Sequence, residues 1–405
     1  MAMVVANKKD LTPGGEVWVR LRLGEVYIVN IDDDRVVTTG LSAFPVASSA
    51  RRYPNAPDGE FIMTVRSLCL AAFAVVLSAC GGDPGEAVDE LFAPYDDPTL
   101  PGAAVLVIQD SQKVLTRTYG AADMATKVPV RSSTNFRLAS LTKQFTATAI
   151  LMLVDEGKLS LDTTLGELYP SVNDYAKDIT VEQVLRHQSG MPDYEPMVPA
   201  DGEQVHDVDV LRLMVNAESG YFPPGSEYRY SNSGYAVLAT IVEKMSGQTF
   251  AEFLDQRIFT PLGMDGTVAF EKGISTVANR AYGYTVTADG VDFSDQSVWS
   301  AVLGDGGVYS SLDDLYLWDQ ALSSEGLISP GLKRQMFTPS LGTYGFGWHI
   351  DEYDGSTRHH HGGSTSGFRN FILRIPEKQL TVIVLTNRAE PDVRELAERV
   401  ADLYF

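Results

Sequence analysis

The sequence predicts an α+β fold: one antiparallel sheet formed by both termini of a domain, with flanking helices and a helical insertion lobe between the strands. Three observations carry this. Strand-like apolar runs begin near residue 102 and return after residue 344, helical periodicity fills the interval, and no repeat, low-complexity tract or linker divides the chain beyond residue 80. Strands at both ends with helices between them suit a single sheet covered by helices.

The elements follow in order. Gly102 to Ile108 reads as a buried strand, and Lys113 to Gly120 as its hairpin partner across Asp110, Ser111 and Gln112. A long helix is expected next, because Leu141, Phe145, Ala149 and Met152 recur three or four residues apart, and Gly157 stands where a C-terminal cap belongs. Helical pattern continues at Tyr235 to Ser246 and Phe250 to Phe259, interrupted by Pro192, Pro223-Pro224-Gly225 and Pro261. Strands are expected at Tyr344 to Ile350, Phe368 to Ile375 and Thr381 to Thr386, with a turn over Pro376 to Gln379. A closing helix is expected from Asp392 to Leu403.

The 405 residues are 44% hydrophobic and 21% charged, with a formal net charge of −21. Such a field repels nucleic acid and anionic membrane surfaces, so neither is an expected partner. Two cysteines, Cys69 and Cys80, exclude a disulfide framework.

Both cysteines fall in residues 63–80. Arg66 supplies a positive start, Leu68 to Ala79 is apolar and uncharged, and Leu77-Ser78-Ala79-Cys80 closes the segment. That run is short for a membrane span and suits a signal peptide. Its end resembles the lipobox of bacterial lipoproteins, which implies cleavage before Cys80 and a lipid anchor on its thiol. The expected address is therefore exported, in the periplasm or cell envelope. Residues 1–62 precede this signal and are expected to be upstream sequence outside the fold, with Met63 the start. Their strand-like alternation at Val17 to Leu23 and Glu25 to Ile31 leaves a small β-meander as the other reading. The folded domain is then 80–405.

The candidate chemistry begins at Ser140-Leu-Thr-Lys143. A serine hydroxyl needs a base within hydrogen-bond reach. Residues three apart share a helix face, and a lysine stripped of water loses its proton more readily. Alone the spacing is weak, since about one such match is expected in a chain of this length. Two further clusters strengthen it. Tyr230-Ser231-Asn232 offers a phenol that can relay a proton and a carboxamide that can orient an amine. His361-Gly362-Gly363-Ser364 stands just ahead of the strand from Phe368, where glycines admit a substrate and a free N–H can face an oxyanion.

In this order the three clusters resemble the signature of the serine β-lactamase and penicillin-binding superfamily, in its class C branch. That branch includes class C β-lactamases, D-alanyl-D-alanine carboxypeptidases, D-aminopeptidases and family VIII esterases. Leu185 to Pro192, Pro261 to Met264, Gly306 to Ser311 with Asp313 to Leu315, and Tyr344 to Trp348 agree with it. The resemblance implies a β-lactamase/transpeptidase-like fold and an acylated nucleophile at Ser140. It implies Lys143 and Tyr230 sharing one proton as general base, Asn232 orienting Lys143, and His361 in the place of the third-motif basic residue. The oxyanion donors would be the N–H groups of Ser140 and Ser364, with Gly363 beside them.

True β-lactamases carry Lys-Thr-Gly where this chain has His361-Gly-Gly, and a histidine need not be cationic at neutral pH. The pattern resembles peptidases and esterases of the branch more closely. The expected function is hydrolysis of a small ester or a peptide bearing a D-amino acid. A β-lactam hydrolase and a non-catalytic scaffold are the alternatives. No cofactor is expected. Three adjacent histidines, His359 to His361, alternate in direction on a strand, so no metal is expected either. His187, His206 and His349 read as structural or surface residues, and 192–210 and 273–304 as loops lining the site.

Overall fold

The computed structural model describes residues 83–405 together with the backbone of a hairpin, Glu25–Asp32 and Arg35–Ser42. The chain divides into two compact units, Met1–Pro84 and Gly85–Phe405. In the first, the hairpin strands pair antiparallel from Glu25 opposite Ser42 to Asp32 opposite Arg35. The alternation at Glu25 to Ile31 falls on the first of them. The remainder of residues 1–62, the apolar segment 63–79 and Cys80 lie outside the described residues.

The second unit is built on a six-stranded antiparallel sheet. Strands β1 (Ala103–Gln109) and β2 (Gln112–Tyr119) come from the start of the unit. Strands β3 (His349–Tyr353), β4 (Ser356–Thr365), β5 (Phe368–Ile375) and β6 (Leu380–Thr386) come from its end. The spatial order is β3-β4-β5-β6-β1-β2. The two groups join where β6 pairs with β1, from Leu380 opposite Gln109 to Thr386 opposite Ala103.

Both faces of the central strands are covered, so their sequences run apolar without a polar side. Val105, Val107, Leu373, Val382 and Val384 pack beneath helices α1 (Pro84–Phe92) and α6 (Arg394–Asp402). The alternate residues Leu106, Ile108, Ile372, Ile383 and Leu385 face the larger core with α2 (Lys143–Asp155), α4 (Asn232–Ser246) and α5 (Leu312–Ser323). Helix α3 (Asp207–Asn216) packs in the inserted lobe against α4. Each such Val, Leu or Ile contributes roughly 1.5–3 kcal/mol by leaving water.

Three expectations are corrected. Of the strand expected at Tyr344 to Ile350, only His349 and Ile350 are extended: Tyr344 to Trp348 form a turn, with an isolated bridge from Tyr344 to His349, where β3 begins. Tyr344, Phe346 and Trp348 are all fully buried, so their alternation reflects a glycine-broken turn pressed into the core. Gly347, at φ 78°, needs that freedom, because a Cβ there would lie 2.7 Å from the Lys143 carbonyl oxygen. The histidine-glycine cluster, expected just ahead of a strand, lies within β4, whose low strand propensity hid it. The long helix starts later than its periodicity suggests, since Ala139–Thr142 form a 3₁₀ turn and α2 begins at Lys143.

Strand β4 crosses this turn closely. A Cβ on Gly363 would lie 2.1 Å from the Leu138 carbonyl oxygen, whereas one on Gly362 would make ordinary contacts with the Phe371 ring at 3.5 Å and the Asn370 carbonyl oxygen at 3.9 Å. Gly363→Ala is therefore expected to destabilise the protein by about 1–3 kcal/mol as an overpacked contact with backbone. Gly362→Ala should be close to neutral. Urea unfolding of the two variants side by side checks this, and equal stabilities would remove the steric argument.

Candidate active site

Ser140 sits in a strained, tightly held turn. Ala139 before it has φ 52°, a left-handed value that costs a residue with a Cβ. The turn is held by Leu138 N–H donating to the Val308 carbonyl at 2.8 Å and Val308 N–H donating to Thr142 Oγ1 at 3.1 Å. In a 3₁₀ turn residues i and i+3 eclipse, which brings Lys143 directly under Ser140. The Nζ to Oγ distance is 3.1 Å.

Tyr230 and Asn232 flank the cap of α4. Ser231 is the cap, its side chain accepting the Gly234 N–H at 3.2 Å. His361, Gly363 and Ser364 lie on β4, whose neighbour β3 stops at His349 opposite His360. The β4 edge from His361 onward is thus not covered by β3. Ser140, Tyr230, Asn232, His361, Gly363 and Ser364 all line one cleft of about 520 Å³. Lys143 lies beneath it, fully buried.

The partners of Lys143 Nζ define its state. Besides Ser140, they are Asn232 Oδ1 at 2.8 Å and the Asp305 carbonyl oxygen at 2.8 Å. Asn232 is oriented by its own amide, which donates to Glu195 Oε1 at 2.6 Å, so its oxygen must face the lysine. As an ammonium Nζ can donate to all three oxygens; once it loses a proton, the two pure acceptors keep its hydrogens and its lone pair can face the hydroxyl. Burial lowers the Lys143 pKa below the ordinary lysine value, while the charges of Asp305 and Glu195 pull it back up. Asp305 is itself raised by burial, and its carboxylate accepts from the Tyr194 hydroxyl at 3.0 Å.

The Tyr230 ring stands 4.9 Å from Lys143 Nζ. Its hydroxyl is buried without a well-formed hydrogen bond among the described residues. Burial drives its pKa far up, with Ser140 the neighbour that draws it down, so it is a neutral phenol at rest. His361 does not bond to Tyr230, whose ring centre is 6.1 Å away. Its Nδ1 donates to the Gly362 carbonyl at 2.6 Å, and its Nε2 accepts from the Tyr344 hydroxyl at 2.9 Å. Burial, with the nearby His349 and Lys143, holds its pKa well below that of a free imidazole, so it is neutral. The other two histidines of the run diverge from it: His359 stacks on Phe337 at 4.2 Å, and His360 bonds Asp351 at 3.2 Å.

Sequence reasoning passed over several residues here. Tyr344 and His187 lay in stretches that carried the family resemblance, but nothing local gave them a role. His187 packs its ring 4.2 Å from that of Tyr230, and His349 lines the cleft. His206 instead precedes α3, where its N–H donates to Asp209 at 3.1 Å. Of the two loops expected at the site, 192–210 supplies Tyr194 and Glu195. From the other, 273–304, no residue is among those lining the cleft, and the Gly304 carbonyl accepts from Thr146 of α2 at 2.7 Å. The cleft mouth is lined by Thr343, Asp351, Arg369, Asp392 and Arg394, for which the sequence held no signal.

This fold and cluster are those of the β-lactamase and transpeptidase-like superfamily of serine hydrolases. The family described as Beta-lactamase matches residues 88–405. Penicillin-binding protein 4* of Bacillus subtilis is 31% identical over 316 residues, covering 72% of this chain and 69% of that protein. A D-aminopeptidase of Brucella anthropi is 28% identical over 303 residues, or 71% of this chain, and the match spans only 56% of its length. The octameric penicillin-binding protein homologue from Pyrococcus abyssi superposes with a TM-score of 0.68 at 26% identity, covering 79% of this chain and 76% of that one. The chain belongs to the β-lactamase family of serine hydrolases.

Glu195→Gln keeps the hydrogen bond to Asn232 and removes a charge that raises the Lys143 pKa. The neutral amine then persists to lower pH. The alkaline-rising limb of Ser140 labelling by a fluorophosphonate is expected to move to lower pH in this variant. A limb that stays in place or moves to higher pH would contradict the electrostatic account.

Proposed function

We propose that this chain is an exported, lipid-anchored serine hydrolase that cleaves an ester or amide bond through an acyl-enzyme at Ser140. The observation that carries the reading is the bonding of Lys143: its Nζ contacts Asn232 Oδ1, the Asp305 carbonyl and Ser140 Oγ, so that on loss of one proton the two acceptors keep its hydrogens and its lone pair turns to the Ser140 hydroxyl.

The chemistry then runs as follows. The neutral Lys143 amine takes the Ser140 proton as Oγ bonds to the substrate carbonyl carbon. The N–H groups of Ser140 and Ser364 receive the oxyanion. The bond to the leaving group breaks as Tyr230 donates its phenolic proton to it, and Lys143 returns a proton to Tyr230. Water attacks the acyl-enzyme by the reverse sequence and frees Ser140. Lys143 and Tyr230 exchange one proton, so the pH profile belongs to the pair. Asn232 orients the amine, and His361 acts through Tyr344 without supplying charge.

The substrate class rests on charge. A neutral His361 offers no cation at the third-motif position for the carboxylate of a β-lactam, which leaves only Arg369 and Arg394 of the cleft lining to meet one, while Glu195 beside Asn232 suits an amino group on the acyl side. The D-aminopeptidase relative supports an amide of a D-amino acid with a free amine. Export rests on the signal-like segment 63–79 and Cys80.

Wild type and Ser140→Ala, both beginning at Gly81, are to be assayed on D-alanine p-nitroanilide, p-nitrophenyl butyrate and nitrocefin. Wild type is expected to turn over the amide fastest, and Ser140→Ala to lose at least about 10³-fold in kcat, the scale set by removing a nucleophile. Lys143→Arg should be as inert, since a guanidinium does not release its proton. Nitrocefin as the preferred substrate would assign a β-lactamase, and a folded wild type inert to all three a scaffold. For the anchor, the full chain expressed in a bacterium is expected to incorporate labelled fatty acid, and Cys80→Ser to abolish incorporation. Equal labelling of both would reject lipidation at Cys80.

A further inference from the structure

His187 holds a position that its packing alone does not explain. It follows the short helix Val181–Leu185 and adopts φ 57°, in the left-handed region. That conformation lets its carbonyl and its side chain face the same neighbouring segment. The carbonyl accepts the Arg229 N–H at 2.9 Å, and Nδ1 accepts the Ser231 N–H at 3.1 Å. One residue thus grips the backbone on both sides of Tyr230. Its ring also lies 4.2 Å from the Tyr230 ring, centre to centre, and 4.3 Å from that of Tyr344, whose hydroxyl holds His361.

The protonation state follows from these bonds. A nitrogen that accepts a backbone N–H is bare, so the ring proton is on Nε2. Burial, with Lys143 and two histidines nearby, keeps the second proton off. Nε2 is buried and finds no hydrogen-bond partner among the described residues. A residue chosen only to fill this space would be apolar. The feature that demands histidine is the acceptor at Nδ1.

We propose that His187 is a positioning residue for the reaction: a two-point backbone clamp that, with its ring, fixes the phenol of Tyr230 over Ser140 and Lys143. The proposal rests on the reading of Tyr230 as the proton relay. His187 itself bonds neither Ser140 nor Lys143.

Three variants separate a clamp from a filler. Asparagine tolerates a left-handed φ and places its Oδ1 where Nδ1 was, so His187→Asn retains both acceptors. Glutamine carries the same group one methylene further out and does not reach the Ser231 N–H in the same way. Alanine has no side-chain acceptor. With an amide substrate, His187→Ala and His187→Gln are expected to lose about 100-fold in kcat, the cost of roughly 1 Å of misplacement. KM should change less than about threefold, and His187→Asn should recover at least about tenfold over alanine. The loss should be smaller for a p-nitrophenyl ester, whose leaving group departs without a proton. Crystal structures should show the Tyr230 hydroxyl displaced in the alanine and glutamine variants, with the Ser140–Lys143 contact intact.

The proposal is overturned if Tyr230 stays in place in His187→Ala, or if asparagine and glutamine are equally impaired. It is also overturned if ester and amide rates fall together in proportion to lost thermal stability. Should His187→Ala fail to fold, the asparagine and glutamine pair decides by the same readouts. A wild type inert to every substrate would defeat the relay reading, and the position of Tyr230 in the variant structures would still decide the clamp.

Discussion

The burial of one amine governs this molecule. Lys143 has no solvent exposure, and it reaches Ser140, Asn232 and the Asp305 carbonyl, partners from three parts of the chain. A charged ammonium in such a place carries a heavy desolvation cost unless it is compensated, and a neutral one is free to act as a base. The surroundings sit between these limits. Two carboxylates, Asp305 and Glu195, draw its pKa upward against the desolvation that lowers it. The neighbouring acid Asp207, also buried, accepts the N–H groups of Leu303 and Gly304 at 2.8 and 2.9 Å and braces the segment that presents the Asp305 carbonyl.

The rest of the domain can be understood as what holds that amine in place. The turn at Gly347 packs against the Lys143 backbone, where no side chain would fit. The Ser231 cap fixes where α4 begins, and hence where Tyr230 and Asn232 stand on either side of it. Gly363 lets β4 lie directly on the Leu138 carbonyl, which sets the cleft floor beside Ser140. None of these contacts is strong alone. Their effect is to leave the side chains of the cluster few alternative positions, which is the condition for a preorganised site.

The third motif shows how one substitution redirects a site. Where other branches of the family place a lysine, this chain has a neutral imidazole wedged between a backbone carbonyl and Tyr344. Tyr228, Tyr230, Tyr235 and Tyr344 surround His187, so an aromatic cluster, joined to His361 through the Tyr344 hydroxyl, stands behind the third motif. Positive charge at the cleft is left to Arg369 and Arg394 on its lining and to whatever proton Lys143 carries beneath it.

The sequence by itself determined the sheet assembled from the two ends of the domain, the helical lobe, and the three-residue spacing of Ser140 and Lys143, while the grouping of these two with Tyr230, Asn232 and His361 came from the resemblance of three motifs to a known family. Alternating apolar strands and a three-residue spacing are local patterns, and local patterns survive in one dimension. It could not determine Glu195, Asp305, His187 or Tyr344, because each matters through an atom brought in from tens to hundreds of residues away. The misread turn at Tyr344 has the same origin: alternation along the chain cannot distinguish a strand from a glycine-broken turn whose aromatics all face the core. How far the Lys143 pKa is lowered, and whether His361 is a cation, likewise depends on tertiary structure. Both depend on how completely water is excluded, and exclusion of water is a property of the whole fold.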